Sequence, residues 1–204
     1  MEKETLKRIF QFLEEKEEHS APLLWKHKNN MQITKEELNF KGDLHLENSP
    51  ITSLPDGLKV EGDLMLTFSK IASLPDDLQV GGDLNIIGCE AITSLPKGLK
   101  VGKGIQLYAK RIVSIGEGLF VNGDLNLFNS QIKSLPQGIK IMGELGLSFT
   151  KIETLPKGLI VKGGLEIAGT PLEKYSNRQL REMVKPGFIA VSYTHLTLPT
   201  KRIV

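Results

Sequence analysis

At 204 residues, with 25% charged and 40% hydrophobic positions, the chain has enough apolar material for one sizeable core and lacks the polar excess of a disordered protein. The formal charge of +2 vanishes once Lys201 and Arg202 of the last stretch are set aside, so there is no support for nucleic-acid binding, which usually shows as a basic face. A single cysteine, Cys89, excludes a disulfide framework and a multi-cysteine zinc site, and no apolar run has the length of a signal peptide core or a membrane span, which points to a cytoplasmic protein away from membranes.

Between Glu2 and Glu18, the apolar residues Leu6, Ile9, Phe10 and Leu13 recur at steps of three and four, one stripe of an amphipathic helix. Its polar face mixes Glu and Lys, which fits an end cap better than a membrane-surface helix. Residues 20 to 30 follow, with Pro22, Trp25 and the basic cluster Lys26, His27 and Lys28; Trp25 is expected to pack under the cap. From Gln32 the chain reads as a half repeat, with Leu38 and Phe40 standing where later copies carry Leu58 and Val60. Residues 1–41 therefore form an N-terminal helical cap and lead-in.

One sentence then repeats across residues 42–172: V-x-G-D-L-x-L-x-x-S-x-I-x-S-L-P-x-G-L-x. Its first leucine falls at Leu44, Leu64, Leu84, Ile105, Leu125, Leu145 and Leu165, steps of 20 residues with a single step of 21. A period that constant means a solenoid, here of about seven coils. Within each copy Leu-x-Leu alternates as a strand must, so Leu44 and Leu46 point inward and Asp43, His45 and Glu47 outward. Stacked in parallel at about 4.8 Å, such strands make a sheet roughly 29 Å across. The proline of S-L-P (Pro55, Pro75, Pro96, Pro136, Pro156) cannot donate to a ladder, so the return path should be extended or polyproline-like.

The pattern L-x-L-x-x-S-x-I resembles the leucine-rich repeat. Its short period and S-L-P-x-G-L half are similar to the bacterial class found in the repeat domains of IpaH-type effectors, and G-D-L-x-L arrays also occur in bacterial and phage proteins. The resemblance covers about Leu44 to Leu172. It implies an α/β repeat solenoid with one parallel sheet, extended return segments and short helical caps; a parallel β-helix is the alternative. It also allows a secreted effector in place of a cytoplasmic protein. The effectors' catalytic ligase domain finds no counterpart in the residues after Leu172, so that activity is not carried over.

Two copies depart from the pattern. The third has an extra residue between Ile86 and Ile92, expected to form a bulge. The fourth has Ile115-Gly116 for Leu-Pro and Lys110 in a column otherwise filled by Ser49, Ser69, Cys89, Ser130, Thr150 and Thr170. A lysine aimed into the core would need a partner, so that turn should be re-aimed outward. After Leu172 the period stops. Ser176 to Gln179 has the form of a capping box, and Leu180, Met183 and Val184 make a helical stripe that Pro186 ends, giving a C-terminal helical cap over residues 173–190. The stretch Val191 to Thr200, VSYTHLTLPT, resembles the translation of a transposase adapter used in sequencing libraries, so residues 191–204 are read as a non-native tail that displaces the natural C-terminus.

Two columns invite chemistry. Asp43, Asp63, Asp83, Asp124 and Glu144 stand one per coil, close enough for a cation to relieve their repulsion, but each is expected to hydrogen-bond the backbone of its own Gly-Asp turn. The hydroxyl column around Cys89 should satisfy backbone groups, and His45 is too many coils from Cys89 for a nucleophile pair. Lys59, Lys100 and Lys140, interrupted by Gln79, Phe120 and Ile160, read as a solvated face. No catalytic residue, metal site or cofactor is assigned.

The expected function is a non-enzymatic, monomeric binding module that takes a protein partner on its open sheet face. The position after each Leu-x-Leu runs Glu47, Thr67, Ile87, Tyr108, Phe128, Ser148 and Ala168, apolar or aromatic in its three central members. Ile87, Tyr108 and Phe128, with Met65, Asn85, Gln106 and Asn126 beside them, form the candidate partner-binding set. The alternatives are the substrate-recognition fragment of a larger enzyme truncated at its C-terminus, and a structural spacer. Deleting residues 191–204 should leave the melting temperature unchanged, well inside the ~2–4 °C that 1 kcal/mol moves a chain of this size; a larger drop by calorimetry would make the tail part of the fold.

Overall fold

The computed structural model describes residues 21–107 and 109–185. The helix expected over Glu2 to Glu18, Tyr108, Pro186 and the tail 191–204 lie outside the described residues. The repeats wind into a parallel β-solenoid in which each coil contributes one short strand to each of two seven-stranded sheets. The front sheet carries the Leu-x-Leu segments, from Leu44–His45 through Leu64–Met65, Leu84–Ile86, Ile105–Leu107, Leu125–Asn126 and Leu145–Gly146 to Leu165–Glu166. Leu64 is paired with Leu84, Leu84 with Ile105 and Ile105 with Leu125, the stacking that the 20-residue period requires.

The back sheet runs from Asn39–Phe40 to Ile160–Val161 and matches the β-helix alternative more closely than a solenoid with one sheet. Its strands come from the L-K-V part of the sentence. Leu58 and Val60 are buried while Lys59 between them is exposed, the alternation of a strand. Lys59 N donates to Leu38 O at 2.8 Å and Glu61 N to Phe40 O at 2.9 Å, so the half repeat at Phe40 is the first rung of this sheet. Donors run in opposite directions on the two sides. Front-sheet N–H groups reach the following coil, as Leu44 N does to Asp63 O, and back-sheet N–H groups reach the preceding one.

A third, two-stranded sheet pairs Ser94–Leu95 with Ser114–Ile115. It forms where Gly116 replaces proline: Gly116 N donates to Leu95 O at 2.8 Å, a bond that a proline nitrogen cannot make. The extra residue of the third copy falls between Cys89 and Ile92, where Ile92 N turns back to Cys89 O at 3.2 Å.

Both ends are closed. Helix α1 (Ala21–Lys28), in the segment left without a helix in the sequence reading, has Pro22 in its first turn, where a missing N–H costs nothing, and buries Leu23 against the first coil. Trp25 is half-buried beside it, the Lys26 ammonium pairs with Glu37, and His27 Nε2 meets Ser53 Oγ at 3.0 Å. Helix α2 (Asn177–Met183) starts at the expected capping box, Ser176 with Gln179, and buries Leu180 and Val184. Val184 O accepts from Gly158 N at 2.9 Å, tying the cap to the last turn.

The core is a set of aliphatic columns, one residue per coil, continuous from Leu44 to Leu172. Leu125→Ala, which opens a cavity beneath two neighbouring coils, should cost about 2–5 kcal/mol in a urea titration, whereas Lys100→Ala on the exposed back face should stay within about 0.5 kcal/mol. Equal losses would mean that the inward and outward faces are misassigned.

Candidate functional site

The front sheet's outer face is set by the same alternation that fills the core. Met65 stands beside Asn85 and Asn85 beside Gln106 in register, and Asn126 follows on the next coil, so four of the expected binding residues form one row. Asn85 Nδ2 donates to Gln106 Oε1 at 3.3 Å. The amide oxygens are engaged at the strand ends: Asn85 Oδ1 accepts from Ile87 N at 3.1 Å and Asn126 Oδ1 from Phe128 N at 2.8 Å. These asparagines shape the turn that presents Ile87 and Phe128, and only the rest of their hydrogen-bonding capacity faces outward. Ile87, Gln106, Asn126 and Phe128 line one shallow depression together with Leu107 and Lys110, two residues that sequence reasoning had not placed there. Tyr108, expected at its centre, lies outside the described residues.

The aromatic side chains extend this row. Phe128 is 50% exposed and Phe149 58%, and their rings meet edge to face with centroids 5.3 Å apart and planes at 70°. Ser148, expected on the outer face, is buried, and its neighbour Phe149 takes the exposed position. Phe68, 60% exposed, occupies the same turn position four coils earlier. Both Phe68 (φ 56°) and Phe149 (φ 59°) are in the left-handed region, which costs a bulky residue on the order of 1–3 kcal/mol. Asn48, Gly88, Asn129 and Gly169 fill that position in other coils. Each phenylalanine lies over the glycine of the following coil, Phe68 over Gly88 and Phe149 over Gly169, where a β-carbon would strike the ring. The pattern that would have found these residues is the column one place beyond the last outward strand residue.

The inward column is buried as expected from coil two onward, with lysine-bearing coil four excepted, but only part of it satisfies backbone groups. Ser69, Cys89, Ser130, Thr150 and Thr170 are buried, Cys89 Sγ donates to Leu66 O at 3.0 Å and Thr170 Oγ1 to Ile167 O at 2.6 Å. Ser130 Oγ and Thr150 Oγ1 have no hydrogen-bond partner. Lys110 leaves the column altogether, carried outward by a 3-10 turn over Ala109–Arg111.

The acidic column bonds between coils and not within its own turn. Asp63 N donates to Asp43 Oδ1, Asp83 N to Asp63 Oδ1 and Gly104 N to Asp83 Oδ1, each at 2.8 Å, and Glu144 N to Asp124 Oδ1 at 2.7 Å. The preceding glycine makes room: a β-carbon at Gly82 would overlap the Asp63 carboxylate. The charge that this ladder accumulates is met from within. Coil four has no acid at Gly104, and the residue before it, Lys103, reaches back to Asp63 Oδ1 at 3.2 Å and Asp83 Oδ2 at 3.8 Å. At the ladder's start His45 Nδ1 meets Glu47 Oε1 at 3.0 Å, and that bond raises the imidazole above its ordinary value. Among the described residues no group of three His, Cys, Asp or Glu side chains is arranged to hold a metal ion.

The Asp83 N–H, then the Lys103 ammonium, hold the Asp63 carboxyl below the ordinary carboxylate value of 3.8. A depressed folded-state value means that the contribution to stability is present above the unfolded value and is lost as the pH falls from there through the lowered one. Asp63→Asn should therefore flatten the acid limb of stability measured below about pH 4, with little change in slope near neutrality; an unaltered acid limb would remove Asp63 from the ladder's energetics. Comparison of the chain with known protein families, curated proteins and solved structures finds no match.

Proposed function

We propose that this protein is a non-enzymatic binding module whose front sheet takes a protein partner along the edge marked by Phe68, Ile87, Phe128 and Phe149. The observation that carries the reading is the exposure of the phenylalanines. Two of them are held in a backbone conformation that asparagine and glycine adopt elsewhere in the same column, and packing on the next coil still leaves each ring more than half in solvent. Backbone strain of this kind accumulates where a side chain must be presented. A contiguous apolar cluster rimmed by amides is also the usual composition of a protein interaction site. The amide row of Asn85, Gln106 and Asn126 supplies hydrogen bonds beside it, and Met65 adds an adaptable apolar contact.

The leucine-rich-repeat resemblance supports the same use of the sheet face. A cytoplasmic, monomeric protein agrees with the single cysteine and with the capped ends of the solenoid, which leave neither final coil bare.

Phe128→Ser combined with Phe149→Ser should leave the circular dichroism spectrum and melting temperature close to those of the unmodified chain while abolishing capture of a partner identified by cross-linking to the intact protein. Undiminished capture would move the site elsewhere. Unfolding would place the rings in the core, and Phe128→Tyr, which keeps the packing, should then restore the fold.

A further inference from the structure

The corner beyond the aromatic row is basic. Lys70 and Lys151 each follow an exposed phenylalanine by two residues, in Phe68-Ser-Lys and Phe149-Thr-Lys, and Lys110 and Arg111 occupy the corresponding turn of coil four. All four side chains are exposed, and none forms an ion pair among the described residues, although Lys26, Lys103 and Lys185 do. One acid, Glu90, interrupts the column. Lys110 is the informative member. The position it fills is buried and neutral in coils two, three, five, six and seven, and the 3-10 turn carries its ammonium onto the rim of the depression between Leu107 and Phe128.

Resting on the functional reading above, we propose that the partner presents an extended acidic peptide, with an apolar side chain packed on the exposed Phe128–Phe149 pair and carboxylates facing Lys110, Lys70 and Lys151. Charge complementarity decides the sign, because a basic segment would meet four unpaired cations, Lys70, Lys110, Arg111 and Lys151, against the single acid of that column, Glu90. A single-stranded nucleic acid also favours cations next to aromatic rings, but it needs ring faces open for stacking. Among the described residues, Phe128 and Phe149 are joined edge to face, and Phe68 and Phe149 lie over glycines.

The experiment selects a random twelve-residue peptide display library on the full chain and on the variant Lys70→Glu/Lys110→Glu/Lys151→Glu. The expected result on the native chain is a family of peptides combining an aromatic or leucine anchor with two or more Asp or Glu. On the variant, Lys and Arg replace those acids, and a labelled acidic peptide from the first selection binds at least about tenfold more weakly, with its native affinity falling as salt rises. Uncharged or basic peptides on the native chain, or equal affinity for the variant, would overturn the proposal, as would displacement of the peptide by a labelled oligothymidylate that binds more tightly. Phe128→Ser separates the two levels. If it abolishes peptide binding while the charge reversal has no effect, the acidic partner is wrong and the binding face stands; if no peptide is retained by any form, both fall.

Discussion

Each coil hands its backbone hydrogen bonds to the next at a fixed height, and because the donors point forward on the front side and backward on the back side, neither side can shift alone. That constraint turns sequence columns into physical columns. A leucine stacks on a leucine, a glycine leaves space for the carboxylate of the coil before it, and an aspartate accepts from the backbone of the coil after it. No coil can bury its own aliphatic set, so the fold is stable only as an array, with α1 and α2 closing the two ends. An alteration at one height is therefore felt one coil away, in a direction set by which side of the solenoid it occupies.

Coil four tests this rule, because it breaks the pattern in three columns and each break has a local answer. The acid column is interrupted at Gly104, and Lys103 returns to neutralise the two acids before it. Proline gives way to Gly116, whose N–H completes an extra two-stranded sheet. The hydroxyl column meets Lys110, which a 3-10 turn turns outward. The irregular coil is thus the one place where the array exchanges internal regularity for a charge at the surface.

The solenoid, its inward leucines, the capping box at Ser176 and the outward turn at Lys110 were legible because each follows from periodicity or from the cost of burying a charge. The back sheet was harder to read. Its strands are only two residues long and stand close to a proline, so the Leu58-Lys59-Val60 alternation gave too short a signal. Helix α1 lacks an amphipathic stripe of useful length, and its place is set by Leu23 docking on the first coil. The acids' partners were misjudged for a different reason: turn chemistry is local in sequence, whereas Asp63 finds its donor 20 residues away, in a coil that only the stacked structure brings near. Phe149 was missed because the outward column was read one residue too early, at a serine that packs inside.

The left-handed turn column has a further regularity. It runs Asn48, Phe68, Gly88, passes through the irregular coil, and then repeats as Asn129, Phe149, Gly169, each member 81 residues after its counterpart. Lysine follows the phenylalanine by two residues in both triplets, and an isoleucine comes directly after it. The triplet thus recurs at a spacing of four coils, a longer period laid over the 20-residue sentence. Because Phe68 packs over Gly88 and Phe149 over Gly169, removing the coil that follows either phenylalanine would strand its ring without the glycine that makes room for it.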